Sequence, residues 1–370
     1  MQESPTEKLQ PLKLPQLPEN PLVSVLIGNY NYARYIGETL DSVLCQTYPY
    51  FEVIICDDGS KDNSCEVIET YIQKDSRIKL IRKQNGGVAT ALNAAYQESK
   101  GQIICILDAD DLWMPEKLQR IVEKFQSAPK CGFVIHNVIE IDGHGNFIKQ
   151  TPKLKELASG WMAPLVLENG GYLKNIPPAS ALTIRREVAR LIFPLNEAMI
   201  RHTDSLICFL APLVTEIGSV PEVLSKFRLH GANITSATAL TVDAIERGHL
   251  AGGLLYQEQK KFLKNVYGTE IEQRLASQEF NLPFCFERYL IARLKHLSQK
   301  ECREVHEQLI SHPKFSATYS WFRPHRWLLQ WYLPDALFMM MFNQVYGSTH
   351  LKQLVRGFIG GRLTASRVHG

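Results

Sequence analysis

From Pro21 onward the chain alternates between short apolar runs and stretches whose apolar residues recur at helical spacing. Val23-Ser-Val-Leu-Ile-Gly-Asn29 reads as a strand ending in a polar turn, Asn29-Tyr-Asn31. Ile36, Leu40, Val43 and Leu44 then mark a helix. Phe51-Glu-Val-Ile-Ile-Cys56 is a second apolar run, closing on Asp57-Asp-Gly-Ser60, a turn that opens a helix through Val67, Ile68 and Tyr71. Ile78 to Ile81 is a short third strand, and Asn85-Gly-Gly87 opens a helix through Leu92 and Tyr96. Gln102 to Leu107 is the fourth strand and Pro115 to Phe125 the fourth helix. Strands without a polar face are buried on both sides, and the amphipathic segments between them supply the covers. The pattern predicts a parallel sheet layered by helices.

Beyond this repeat, Gly132 to Ile141 alternates and meets Asp142-Gly-His-Gly145, a hairpin signal. Thr151 to Ala179 is rich in loop residues, with Gly160, Gly170, Gly171, Pro177 and Pro178, as substrate walls on a rigid scaffold often are. His202 to Val214 reads as a helix with Asp204 near its start, and a strand pair is expected around Glu216 to Phe227, followed by Arg228-Leu-His-Gly231. From Thr241 to Ser311 the spacing is helical and carries no chemical motif. Residues 1–20 are polar and punctuated by Pro5, Pro11, Pro15 and Pro18, which reads as a disordered leader. The apolar stretch from Trp327 to Tyr346 is broken by Pro334 and Asp335 and makes a poor membrane-spanning helix.

Composition adds less. Of the 370 residues, 45% are hydrophobic and 21% charged, enough for a sizeable core, and a net charge of +3 does not point to nucleic acid. The charge is uneven: from Ser311 onward the only acid is Asp335, against Lys314, Arg323, Arg326, Lys352, Arg356, Arg362 and Arg367. With Trp321, Phe322, Trp327, Trp331 and Phe338 among them, residues 313–370 suit either peripheral contact with a membrane surface or a helical cap. The eight cysteines form no Cys-x-x-Cys pair, and Cys56 and Cys105 lie in apolar runs, as in a reducing cytoplasm. The expected location is cytoplasmic, with the inner face of the plasma membrane as the surface the tail would meet.

The chemistry concentrates at strand ends. Ile104-Cys-Ile-Leu-Asp-Ala-Asp-Asp111 delivers three carboxylates, Asp108, Asp110 and Asp111, from one apolar strand. Such a group can hold a divalent ion that carries phosphates, since magnesium-type ions take one or two carboxylates and fill the rest with water and phosphate oxygens. A helix cap accounts for one of the acids and not for all three. Tyr30, Asp57, Asp58, Asn85, Gly86 and Gly87 fall at the carboxyl ends of the other strands, where open sheets of this kind bind ligands.

These pieces, in this order, resemble glycosyltransferase family 2, the inverting nucleotide-sugar enzymes of the GT-A fold. The resemblance rests on Val23-Ser-Val-Leu-Ile-Gly-Asn-Tyr-Asn31, Asp57-Asp-Gly-Ser60, Asn85-Gly-Gly87, Leu107-Asp-Ala-Asp-Asp111 and Phe227-Arg-Leu-His230. It implies an α/β GT-A domain over 21–238, a mostly parallel sheet flanked by helices, and leaves 239–370 as a mainly helical extension. It further implies that Tyr30 stacks on the nucleotide base, Asp58 accepts from a uracil N–H, and Asn85 and Gly86 let the backbone approach the nucleotide. Asp108 would lie near the ribose. Asp110 and His230 would hold Mn²⁺ or Mg²⁺ on the diphosphate, with Arg228 beside it. Asp111 either supports the metal or caps the next helix. Asp204 would be the general base, with His202 as fallback.

Two positions depart from the family's usual pattern: Thr203, where many members carry a second acid, and Gly28, where many have Pro or Thr. The implied reaction is inverting transfer from a nucleotide sugar, UDP-linked for preference, to a hydroxyl of a glycan or lipid-linked glycan. A polyprenyl-phosphate sugar synthase and an inactive nucleotide-sugar-binding module are the alternatives. Arg323-Pro-His-Arg-Trp327 lacks the Gln of the Gln-x-x-Arg-Trp motif found in processive synthases.

Overall fold

A computed structural model describes residues 9–199, 203–230, 241–318 and 329–346. The chain divides into two units, one of Met1–His230 with Gly253–Ala276, the other of Gly231–Gly252 with Ser277–Gly370.

In the first unit the four apolar runs become β1 (Val23–Asn29), β2 (Phe51–Asp57), β3 (Ile78–Arg82) and β4 (Ile103–Asp108). Between them come α1 (Ile36–Leu44), α2 (Ser64–Ile72) and α3 (Val88–Glu98). Then follow β5 (Leu112–Trp113), α4 (Lys117–Ser127), β6 (Cys131–Asp142), α5 (Ala163–Glu168), β7 (Leu182–Arg185), α6 (Arg186–Ile192), α7 (Asp204–Leu210) and β8 (Glu216–Leu229). The strands form one sheet in the order β3-β2-β1-β4-β7-β6-β8-β5. β3, β2, β1 and β4 run parallel, whereas β7 is antiparallel to both β4 and β6. The sheet is therefore mixed. β1 lies between β2 and β4, where the strand order reverses, and its carboxyl end opens the crevice in which such sheets take ligands.

Successive side chains on a strand point to opposite faces, and the core divides accordingly. Leu26, Ile54, Ile104 and Ile106 pack on one face with Leu92 and Ala95 of α3, Val188 of α6 and Phe262 and Leu263. Val25, Ile27, Val53, Ile55, Cys105 and Leu107 pack on the other with Leu40 of α1, Ile68 of α2 and Ile121 of α4. Burying one such aliphatic side chain contributes about 1.5–3 kcal/mol, so the two layers fix the register of β1, β2 and β4 firmly.

Two expectations are corrected here. Residues 9–20 do not form a disordered leader. Leu9, Leu12 and Leu14 pack against one core layer and Leu17 against the other. The Leu12 N–H donates to the Val214 carbonyl at 2.8 Å, Arg185 to the Pro15 carbonyl at 2.7 Å and Gln126 to the Glu19 carbonyl at 2.9 Å. Prolines hold the segment extended at low entropic cost, and the leucines between them supply the anchors. Second, the strand pair expected around Glu216 to Phe227 is a single strand, β8. It runs parallel to β6, with His136 opposite Val220 and Asn137 opposite Val223, so Pro221 and Glu222 are the extra residues of a bulge. Pro221 has no N–H for the ladder, and a bulge is where a strand tolerates it. The hairpin at Asp142 is present, closed by the Ile141–Phe147 bridge and by Asp142 accepting from the N–H groups of His144 and Asn146.

A 26-residue helix, α8 (Val242–Tyr267), follows the bulged strand in sequence, and its part from Gly253 belongs to the first unit. The second unit has helices at Leu282–Leu294, Gln299–Ile310, Phe315–Thr318 and Asp335–Tyr346. Its core is built on Tyr289, Leu290, Leu309 and Phe338. Buried Arg293 donates to the carbonyls of Gln330, Trp331 and Leu333 and lies 4.5 Å from the Phe338 ring centre. Phe338 is thus enclosed, and half-buried Trp331 packs on the same cluster. Trp321, Phe322, Arg323, Trp327 and everything beyond Tyr346 lie outside the described residues. Among the described residues no helix is long and apolar enough to cross a membrane.

Candidate active site

At the end of β2 two adjacent acids are tied down by hydrogen-bond donors. Asp57 accepts from Asn29 Nδ2 at 2.7 Å, from the Ser60 N–H at 2.9 Å and from Ser60 Oγ at 2.6 Å. Burial works to raise its pKa, but these bonds outweigh it and hold the carboxyl below the usual carboxylate range. Asp58 accepts from Lys83 Nζ at 2.6 Å, the Gly86 N–H at 3.0 Å and the Gly87 N–H at 2.7 Å. Its oxygens therefore fix the Asn85–Gly87 turn. Gly59 is required where it stands: φ is +79°, and a Cβ would meet the Asn85 nitrogen at 3.0 Å. Tyr30, at the tip of β1, is 43% exposed and leaves its ring open to a ligand. Gly28 meets only ordinary contacts, the nearest being Ala91 Cβ at 3.6 Å, so a side chain is tolerated there.

At the end of β4 three acids meet in drier surroundings. The chain turns sharply, the Asp111 N–H donating to the Asp108 carbonyl at 3.2 Å. β5 then pairs antiparallel with β8, Leu112 opposite Lys226, which brings Arg228 and His230 alongside. The Arg228 N–H donates to Asp111 Oδ1 at 2.8 Å, its Nε to the Asp110 carbonyl at 2.7 Å and its Nη2 to Glu38 at 2.6 Å. Arg228 is fully buried, with Tyr35 4.8 Å from its guanidinium. These bonds make it a brace for the acid turn. His230 Nε2 lies 2.8 Å from Asp110 Oδ2, its ring stacked on Tyr35 at 4.7 Å and met edge-on by Tyr32 at 5.9 Å.

Desolvation pushes Asp108 well up, and the charges of Asp111, Asp110 and Asp204 add to it. Asp111 is pushed up to about 8 by burial and then by Asp110. Asp110 is raised by burial against the pull of His230. The Tyr32 hydroxyl is raised too, by burial and then by the same three acids, which places it beside them. Like charges in a desolvated turn call for a cation. Carboxylate oxygens with one imidazole suit Mg²⁺ or Mn²⁺. Among the described residues no three His, Cys, Asp or Glu side chains converge to hold a metal by themselves, so waters and substrate oxygens would complete any coordination.

Beneath this turn is a polar network that the sequence did not disclose. Ser180, in a short 3-10 turn (Ala179–Ala181), accepts the Asp108 N–H on its hydroxyl at 3.1 Å. Its carbonyl receives Lys117 Nζ at 2.9 Å, Trp113 Nε1 at 3.2 Å and Ser225 Oγ at 3.2 Å. Lys117 is fully buried, 3.3 Å from the Trp113 ring centre, and burial pushes its ammonium down to about 7. Tyr32, Tyr35, Glu38, Lys117 and Ser180 all carry ordinary sequence signals, and only their meeting in space marks them.

Asp204 begins α7 and lines a cavity of about 300 Å³ with Tyr172, Phe209, Lys153, Lys174 and Asn175. Its charge contributes to the upward shift of Asp108, so the two carboxylates belong to one electrostatic site. Thr203 is buried and donates to the Met199 carbonyl at 2.8 Å, an environment that would penalise a second acid. His202 lies outside the described residues.

Residues 24–189 match the family model described as glycosyl transferase family 2. An uncharacterized glycosyltransferase, alr2836, of Nostoc sp. is 37% identical over 255 residues, 68% of this chain and 78% of that protein. The chondroitin synthase of Pasteurella multocida is 38% identical over 138 residues, 37% of this chain and 14% of that protein. A putative teichuronic acid biosynthesis glycosyltransferase, TuaG, of Bacillus subtilis is 39% identical over 114 residues, 30% of this chain and 45% of that protein. Among solved structures, residues 1–349 of S. aureus TarS, also described in complex with UDP-GlcNAc, superpose with a TM-score of 0.51 at 17% identity, covering 90% of this chain and 91% of that one.

Proposed function

The chain belongs to glycosyltransferase family 2 and is a transferase with the GT-A fold, and from that premise we propose that it moves a sugar from a nucleoside diphosphate to an acceptor hydroxyl with inversion. One observation carries the proposal. Asp108, Asp110 and Asp111 crowd a desolvated turn, His230 is bonded to Asp110, and the charge of Asp204 reaches the same group. A carboxylate cluster of that kind at a switch-point crevice suits a metal-bound diphosphate on one side and a base on the other.

In this reading the exposed ring of Tyr30 stacks on the base, and Asp58 shapes the Asn85–Gly86 turn that the nucleotide meets. Asp108 lies on the ribose side, and Asp110 with His230 holds Mn²⁺ or Mg²⁺. The bound ion would neutralise charge on the departing diphosphate. Arg228 keeps Asp110 and Asp111 in place. Asp204 takes the proton of the acceptor hydroxyl as its oxygen bonds to the anomeric carbon and the bond from that carbon to the diphosphate breaks. UDP is the first nucleotide to try, because a fold neighbour is described with UDP-GlcNAc. A glycan acceptor is in keeping with relatives named for chondroitin and teichuronic acid. All eight cysteines are free thiols, in keeping with a cytoplasmic location.

Calorimetry with UDP, with and without Mn²⁺, tests the donor site. Wild type should bind UDP more tightly with the metal, and Asp110→Asn should remove that difference. Equal affinity with and without Mn²⁺ in wild type would end the reading.

A further inference from the structure

We propose that the cavity beside Asp204 is the acceptor subsite and that it selects a sugar bearing an anionic group. The inference rests on the transferase reading above, because it takes Asp204 as the base. The cavity, about 300 Å³, is lined by Lys153, Leu154, the loop from Tyr172 to Pro178, and α7. That is the small end of the range for ligand pockets, about 300–1,000 Å³. It suits one sugar ring with a substituent rather than a long glycan.

The walls divide by chemistry. Tyr172 and Phe209 stack with ring centres 6.1 Å apart and planes 28° from parallel, and both are half-buried on the cavity. Together they make an apolar platform for the C–H face of a pyranose. Apart from Asp204, the charged side chains that line the cavity among the described residues are Lys153 and Lys174. Lys153 is steadied by Glu140 at 2.9 Å and by the Phe227 ring at 4.3 Å, while Lys174 is exposed at the rim. The Lys153 ammonium already meets the Glu140 carboxylate, so an acceptor's carboxylate or phosphate would lie toward Lys174 while a hydroxyl of the same ring faces Asp204.

The platform is held rather than loose. Asn175, in the left-handed region at φ +62°, has its carbonyl bonded by the Ala158 N–H at 3.1 Å. Gln259 of α8, 1% exposed, donates through Nε2 to the Gly171 carbonyl at 2.8 Å and to the Phe209 carbonyl at 3.4 Å. One buried amide thus ties the loop that carries Tyr172 to the helix that carries Phe209 and Asp204. Gly171 makes the approach possible, because a Cβ there would stand 2.0 Å from Gln259 Oε1.

Ligand-observed NMR on the full chain tests this with methyl β-glucuronide, glucose 6-phosphate and methyl β-glucoside, each titrated with and without UDP. At least one anionic sugar should bind about three- to fivefold tighter than the neutral glucoside, the scale of one partly exposed charge contact. Lys174→Glu, a surface change that leaves the fold intact, should close that gap. Tyr172→Ala should weaken all three sugars, and the stronger of the two anionic sugars identifies carboxylate or phosphate. Equal affinities, no binding of any sugar, or a gap that survives Lys174→Glu overturns the proposal. UDP binding in the same samples is read separately. Its loss would sink the donor-site reading, while the titrations without UDP would still decide the cavity.

Discussion

The two parallel strands that flank β1, β2 and β4, each end in a run of aspartates, and the protein treats the two runs in opposite ways. At the end of β2, Asp57 and Asp58 are surrounded by donors: Ser60, Asn29, Lys83 and two glycine N–H groups. At the end of β4, burial raises Asp108, Asp110 and Asp111 together, and the charge of Asp110 adds to the rise of the other two. Both runs lie at the mouth of the same crevice, so position alone does not separate them. The balance of donors does. Acids whose charge is met within the protein build the scaffold, and acids left with excess charge await something from outside.

The largest effect expected on the β4 side is kinetic. Asp204→Asn should lower sugar transfer by about a thousandfold, the scale of a lost general base, with UDP affinity within about twofold of wild type. Undiminished turnover would remove Asp204 from the mechanism and leave the acid cluster without its second half.

A sharper test pits the two runs against each other in stability. Asp58→Asn puts amide protons against Lys83 and the glycine N–H groups, and should cost about 2–3 kcal/mol in urea unfolding. Asp108→Asn removes a charge that its surroundings oppose, and should gain up to about 1 kcal/mol while weakening the donor site. Two changes of the same sign and size would dissolve the contrast.

The smallest effect concerns the cation under the acid turn. Lys117 has a folded-state pKa near 7, against about 10.4 in an unfolded chain. Between these values the unfolded state binds more protons, so stability rises with pH. Wild type should therefore gain on Lys117→Met by more than about 1 kcal/mol between pH 7 and pH 10. A flat difference across that range would mean that the ammonium is not desolvated.

What was legible in the sequence follows from period and run length. Four apolar runs separated by helical spacing give β1 to β4 with their covers, and strand ends point to the crevice. The failures have physical causes. Leu9, Leu12, Leu14 and Leu17 are too sparse among prolines to register as core, yet each finds an apolar layer already built. The sequence around Glu216 to Phe227 predicts two strands where β8 is one, because the break at Pro221 is a bulge within it. Nothing local in the sequence marks Arg228 as fully buried, because Glu38 and the Asp110 carbonyl come to it from distant segments. Lys117, Ser180 and Gln259 are ordinary residues whose role exists only through their neighbours in space.

The carbonyl of Ser180 has a consequence for how this chain can diverge. One oxygen atom answers to Lys117, Trp113 and Ser225, while the hydroxyl of the same residue holds the acid turn. Replacing Lys117, Trp113 or Ser225 removes one of the three donors from that carbonyl, and replacing Ser180 takes the hydroxyl from the Asp108 N–H. In an alignment of relatives that share the acid turn, these four positions should vary as a linked set, even though they are spread over more than a hundred residues of chain.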